Sequence, residues 1–246
     1  MSFQEDKEYF AFNEQRFNYW PIYDTIKQYY PLGIYTNEES RGLYDSYPGS
    51  KALQSVIHNN IWNKKNFSQG WSEFEKFLRQ YFKRQVIGTT YANAPSFSSY
   101  VLLEKTHLDK LFHYKELHFT VSLLGPFYTI YGLDFTGIKL EEIWDPLDTS
   151  NRRIVDRSSI SAITTSPYLE YETHFIDLEA QIKQRYPQFR MVPFNMNMKS
   201  IKGLRTGLYL QQENCVFHAL FNEIHSLADT HIVRGDKFYG HNEWRI

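Results

Sequence analysis

The stretch Glu116–Asp134, reading ELHFTVSLLGPFYTIYGLD, constrains the fold more than any other part of this chain. Leu117, Phe119, Val121 and Leu123 alternate with His118, Thr120, Ser122 and Leu124. Past Gly125-Pro126, Phe127, Thr129, Tyr131 and Leu133 alternate with Tyr128, Ile130, Gly132 and Asp134. Successive strand side chains point to opposite faces, and Gly-Pro punctuates any regular element. The stretch therefore predicts two strands joined by a tight turn, at the centre of a sheet.

The period changes on both sides. Upstream, Trp71, Phe74, Phe77, Leu78, Tyr81 and Phe82 recur at helical spacing from a start near Ser68. Glu73, Glu75, Lys76, Arg79 and Lys83 fall mostly on the opposite face, which predicts an amphipathic helix. Ser50 reads as the N-cap of a helix carrying Leu53, Val56, Ile57 and Ile61, and Pro21 as the first residue of one that ends at Pro31. Ser2 and Glu5 have capping-box spacing, and Phe3, Phe10 and Phe17 recur every seven residues; this suits a short helix or an irregular aromatic arm. Gly33–Gly49 reads as turn-rich.

Gln85–Tyr91 and Phe97–Thr106 read as strands, with a connector at Asp109-Lys110. The parity of apolar residues flips between Phe112/Tyr114 and Leu117/Phe119. That calls for a bulge near Lys115 or a strand that starts there. From Thr136 to Asp156 the pattern weakens, and Trp144-Asp145-Pro146 and Asp148–Asn151 read as turns. Ile160–Thr164 reads as a further strand. Ser166-Pro167 opens a helix through Ile182 that Tyr186-Pro187 stops, Phe189–Phe194 reads as a short edge strand, and Asn214 caps a last helix to Leu227. The expectation is a single α+β domain over residues 1–246: helical over 1–84, sheet-rich over 85–165, and helical with a short edge strand over 166–246. A mainly antiparallel central sheet is packed by N-terminal and C-terminal helices.

A chain of 246 residues can bury a core without disulfides or metals. Net charge is −1, so no global field draws the chain to nucleic acid or to an anionic membrane. Its one cysteine, Cys215, fits a reducing compartment. The start MSFQEDKEYF lacks a basic segment followed by an apolar one, and no apolar run spans a bilayer. The expected location is the cytoplasm. Aromatic residues make up 17% of the chain, which suits a sheet core and also a binding face rich in Tyr and Trp.

No phosphate-binding glycine loop, HExxH, CxxC or GxSxG is present. Glu170, His174 and Asp177 follow one another at helical spacing, and a carboxylate–imidazole pair can act as a general base with its orienting partner; a solvated helix face reads the same way. Asp229, His231, Asp236 and His241, with His225 upstream, offer two His and two carboxylates as ligands for zinc or a similar ion; loops collect such residues for solvation too. The row His118, Thr120, Ser122, with Tyr128 on the return strand, lines a cleft or faces water. Cys215 at a helix start suits a small core residue better than a nucleophile.

These features favour a protein-binding module over an enzyme, with no cofactor. Its partner is a protein, and one concrete form is a bacterial immunity or inhibitor protein that occludes a toxin. The alternatives are a hydrolase or metal-dependent enzyme using the C-terminal cluster, and a small-molecule-binding domain.

Overall fold

The computed structural model describes residues 9–10, 13–14, 16–34, 41–145, 148–206, 214–221, 227 and 232–246. In chain order, the N-terminal part holds β1 (Asn13–Glu14), β2 (Phe17–Asn18), α1 (Trp20–Tyr29), α2 (Arg41–Ser46), α3 (Pro48–Ile57), α4 (Lys64–Phe67) and α5 (Glu73–Phe82). The middle holds β3 (Val86–Gly88), β4 (Ser96–Leu108), β5 (Leu111–Ser122), β6 (Phe127–Asp145) and β7 (Asp148–Thr164). α6 (Glu172–Arg185), β8 (Arg190–Met191), α7 (Phe194–Asn197), α8 (Val216–Leu220) and β9 (Val233–Arg234) follow. The sheet runs β3-β4-β5-β6-β7-β9, with β8 beside β6. β3 to β7 are antiparallel, while β8 and β9 pair in parallel. This is the expected α+β architecture, and Glu116–Asp134 is its central hairpin.

Both faces of that hairpin are buried. One face carries Phe97, Val101, Leu117, Phe119, Val121, Tyr128 and Ile130 against Trp71, Phe74 and Leu78 of the N-terminal helices and Phe175, Leu178 and Ile182 of α6. A Cβ on Gly132 would lie 2.5 Å from the Tyr171 ring. The glycine lets that ring rest on the strand, where its hydroxyl donates to Asp134 Oδ1 (2.6 Å).

The other face carries Phe127, Tyr131 and Leu133 under Ile22 and Ile26 of α1, Met196 of α7, and Val216, Phe217 and Leu220 of α8. Beside them runs a buried polar row, Ser96, Ser98, Glu116, His118, Thr120, Ser122 and Thr129. Register places His118 opposite Tyr131; Tyr128 pairs with Val121 and looks to the opposite face, contrary to the sequence expectation. The four residues Leu123–Pro126 between the strands set this parity.

The bulge expected near Lys115 lies on the neighbouring strand. Leu102 pairs with Glu116 and Glu104 with Lys115, leaving Leu103 extra on β4. A second extra residue, Ser161 on β7, falls at the same level, between the pairs Asp134–Ala162 and Phe135–Ile160. Beyond this line the strands continue as a wing, much of it exposed. β6 and β7 run through the segments expected to be turns, up to Asp145 and on from Asp148. The turn-forming residues Asp145, Asp148, Ser150 and Asn151 hide the strand pattern in the sequence there.

Other elements differ locally. Pro48, not Ser50, opens α3, and Ser50 sits buried inside it. α2 occupies part of the segment read as turns. His58–Trp62 and Ser68–Ser72 are wound as π turns, so the amphipathic helix begins at α4, where the Asn63 side chain accepts from the Lys65 and Asn66 amides. β1 pairs with β2, and Phe10 and Phe17 lie beside Tyr19; Phe3 lies outside the described residues. Among the described residues, no helix is long and apolar enough to cross a membrane.

Candidate functional site

α5 turns Phe74 and Leu78 to the sheet and leaves Phe77 and Tyr81 on the flank, 43% and 45% exposed. At about 100° per residue, a stripe this wide cannot all face one layer. Glu75, expected outside, is buried instead and accepts from Ser99 Oγ (2.5 Å).

The rings on this flank form a ladder. Phe74 stacks on Phe77 (centroids 6.3 Å), Phe77 packs at a tilt on Tyr81 (6.0 Å), Tyr81 meets Phe82 edge-on (5.1 Å), and Phe82 meets His174 of α6 (6.0 Å). A groove of about 270 Å³ runs beside it, lined by Glu73, Phe74, Phe77, Gln181, Gln184 and Arg185. Arg185 donates to Gln69 O (2.9 Å) and Arg84 to Leu103 O (2.6 Å), so these cations bond carbonyls and keep their positive charge at the two ends. Burial lowers the His174 pKa, Arg84 lowers it further, and Asp177 opposes both. The imidazole is thus held neutral at neutral pH.

The structure separates Glu170 from the other two predicted catalytic residues. Leu169–Tyr171 is a 3-10 turn ahead of α6, and Glu170 leaves the helix face there. It accepts from Lys115 Nζ (2.5 Å) and lies 3.7 Å from Arg234. The Lys115 hydrogen bond holds its carboxyl below the usual value. Arg234 pairs with Asp134 (2.9 Å), so the cluster ties the C-terminal segment to the level of the bulges. His174 and Asp177 remain at the end of the ring ladder.

Of the predicted metal ligands, Asp229 and His231, with His225, lie outside the described residues. Asp236 accepts from the Phe238 amide (2.8 Å), a local turn contact. His241 is buried, with Nδ1 2.7 Å from the Tyr19 hydroxyl and Nε2 2.9 Å from Asn195 Oδ1. Both ring nitrogens are therefore engaged. Among the described residues, no group of three or more His, Cys, Asp or Glu can hold a metal ion. Burial pushes the Cys215 thiol up to about 11, outweighing the amides at the start of α8.

The polar row of the central hairpin holds a pair that spacing alone did not single out. His118 Nε2 donates to Glu116 Oε2 (2.8 Å), and both are buried. The His118 ring stacks between Tyr100 (4.9 Å) and Tyr131 (5.4 Å). Burial, and then Glu116, push the Tyr100 hydroxyl up to about 12. The signal was present as Glu116-x-His118 on one strand face, but nothing in it distinguishes an internal bond from a solvated pair. A separate cleft of about 450 Å³ is lined by Tyr9, Phe10, Tyr23, Ser200, Ile201 and Lys202.

The fold and this surface define an α+β protein with an aromatic groove between two helices. No protein-family model matches the chain, and neither curated proteins nor solved structures yield a similar one.

Proposed function

We propose that this chain is a protein-binding module that engages its partner through the α5–α6 groove. The observation that supports this is the ring ladder. Phe77 is exposed yet braced on buried Phe74, and Tyr81 is held between Phe77 and Phe82, so they reach a partner with little entropy left to lose. Large aromatics flanked by Arg and Gln are the usual composition of an interface hot spot. A sheet packed on both faces supplies the rigid support such a surface needs. An immunity or inhibitor protein of the cytoplasm, occluding a toxin, is the concrete form of this reading, since occlusion needs anchors and no chemistry of its own.

Affinity purification of the tagged chain from its own cells tests it. One dominant protein is expected with the wild type, and at least tens-fold less with Phe77→Ala/Tyr81→Ala at unchanged thermal stability. Equal recovery with the variant, or no partner for the wild type, overturns the reading. The cleft at Tyr9, Phe10 and Tyr23 favours a second reading, a small-molecule module, because its volume falls within the range of about 300–1,000 Å³ for ligand sites. A thermal-shift screen with Tyr23→Ala as control decides that one.

A further inference from the structure

The cleft beside α1 is built from segments far apart in sequence. Tyr9 pairs in parallel with Ser200, and the Phe10 amide donates to Ser200 O (2.9 Å), so Tyr9 and Phe10 lie along the segment that follows α7. Across from them stands Tyr23 of α1, whose ring stacks on Phe10 (centroids 6.2 Å, 21° between the planes). Phe10 also meets buried Tyr19 edge-on (6.4 Å), and Tyr23 meets Trp20 edge-on (6.1 Å), so each ring has a second ring bracing it. Buried Ile201 lines the same space of about 450 Å³. Three of the lining side chains are aromatic, and Lys202 is the one charged residue among the described residues of the wall. Lys202 is exposed, and among the described residues it enters no ion pair.

We infer that this cleft binds a flat aromatic carboxylate, its ring against Phe10 and Tyr23 and its charge toward Lys202. Rings gain more from another ring, offset or edge-on, than from a saturated chain of equal area, because a ring's face is negative and its rim positive. A wall with one cation and no anion among the described residues favours a single negative charge on the ligand. A cationic ligand meets Lys202 as a like charge. A phosphate carries more charge than one ammonium offsets, and the wall lacks the arginine fork that grips phosphate oxygens in pairs. The volume suits an acid of one or two rings. This assignment rests on reading the cleft as a small-molecule site. It does not involve the α5–α6 groove.

Saturation-transfer NMR and calorimetric titration of the full chain with three probes test it: indoleacetate, its neutral amide indoleacetamide, and the saturated acid cyclohexylacetate. Indoleacetate is expected to bind with a Kd of roughly 0.1–1 millimolar, and the other two at least about three-fold more weakly. Lys202→Gln should abolish the preference for the acid over the amide, and Tyr23→Leu the preference for the aromatic over the saturated acid. Raising salt from about 0.05 to about 0.5 M should narrow the advantage of the acid and leave the amide unchanged. Equal binding of acid and amide overturns the proposal and leaves the small-molecule reading standing. Indifference of indoleacetate to both substitutions overturns it by placing the acid elsewhere. Binding of none of the three overturns it as well, and the thermal-shift screen then shows whether the small-molecule reading falls with it.

Discussion

The same central strands live in two environments. Below the bulges at Leu103 and Ser161, β4 to β7 form a root with helices over both faces. Above them the strands form a wing, where Leu108 and Leu111 are 69% and 53% exposed. The wing packs chiefly on itself: Phe112 lies over Gly137, where a Cβ would come within 2.3 Å of the ring, and stacks on Tyr114. Alternation in sequence marks a strand in both regions, but burial depends on what else the chain lays over it. The root shows this most clearly, because its polar face is as buried as its apolar one. That is tolerable because the polar groups find partners. Ser96 donates to Phe221 O, Asn197 Nδ2 to Thr129 Oγ1 (2.9 Å), and His118 to Glu116.

The sharpest break between root and wing is expected in the apolar residues. Phe119→Ala should cost about 3–5 kcal/mol in urea denaturation, and Leu111→Ala no more than about 0.5. Comparable losses would erase the distinction. Acid should also act on the root. Burial under the covering layer lowers the His218 pKa from 6.5 to about 4. The unfolded state therefore binds more protons between those values, so stability is full above the unfolded value and falls as pH drops through the window, by up to about 3 kcal/mol. Denaturation curves at pH 7, 5.5 and 4.5 should show this slope, and His218→Gln should flatten it. Glu170, lowered by Lys115, adds its own loss only below its ordinary value of 4.5.

Among carboxylates, Glu116→Ala should cost about 2 kcal/mol because it leaves His118 buried without its acceptor, whereas Glu104→Ala on the wing should stay within about 0.5. Equal melting temperatures for the two variants would mean that the Glu116 pair contributes nothing. The smallest contrast is local. Gly137→Ala sets a Cβ against both the Phe112 ring and the Arg157 carbonyl of β7 and should cost about 1–2 kcal/mol, and hydrogen exchange should quicken in the wing and not in the root.

Much of the architecture was legible in residue order. The hairpin at Gly125-Pro126, the Trp71–Leu78 face and the end of α6 at Tyr186-Pro187 each rest on contacts close in sequence. The strands beyond Thr136 were not legible, since turn-forming residues such as Asp148, Ser150 and Asn151 break their pattern. Nor were the helix starts at Pro48 and Glu172: α3 opens on Pro48, two residues ahead of Ser50, and a 3-10 turn at Leu169–Tyr171 precedes α6. The candidate site was legible only in pieces. Phe77 and Tyr81 read as inward-facing, and His174 read as a partner of Glu170; a stripe too wide for one layer left the first two on the flank, and a 3-10 turn removed the last.

Residue order by itself determined that this chain builds an antiparallel sheet around Glu116–Asp134 with helices before and after it. Local geometry suffices for that, because period two, period 3.6 and Gly-Pro breaks act within a few residues. Only the tertiary structure decided that both faces of the hairpin are covered, that the strands outrun the core as a wing, and that the aromatic ladder of α5 is open. Those outcomes depend on which distant segments pack together, and burial is a property of the pair and not of either strand alone.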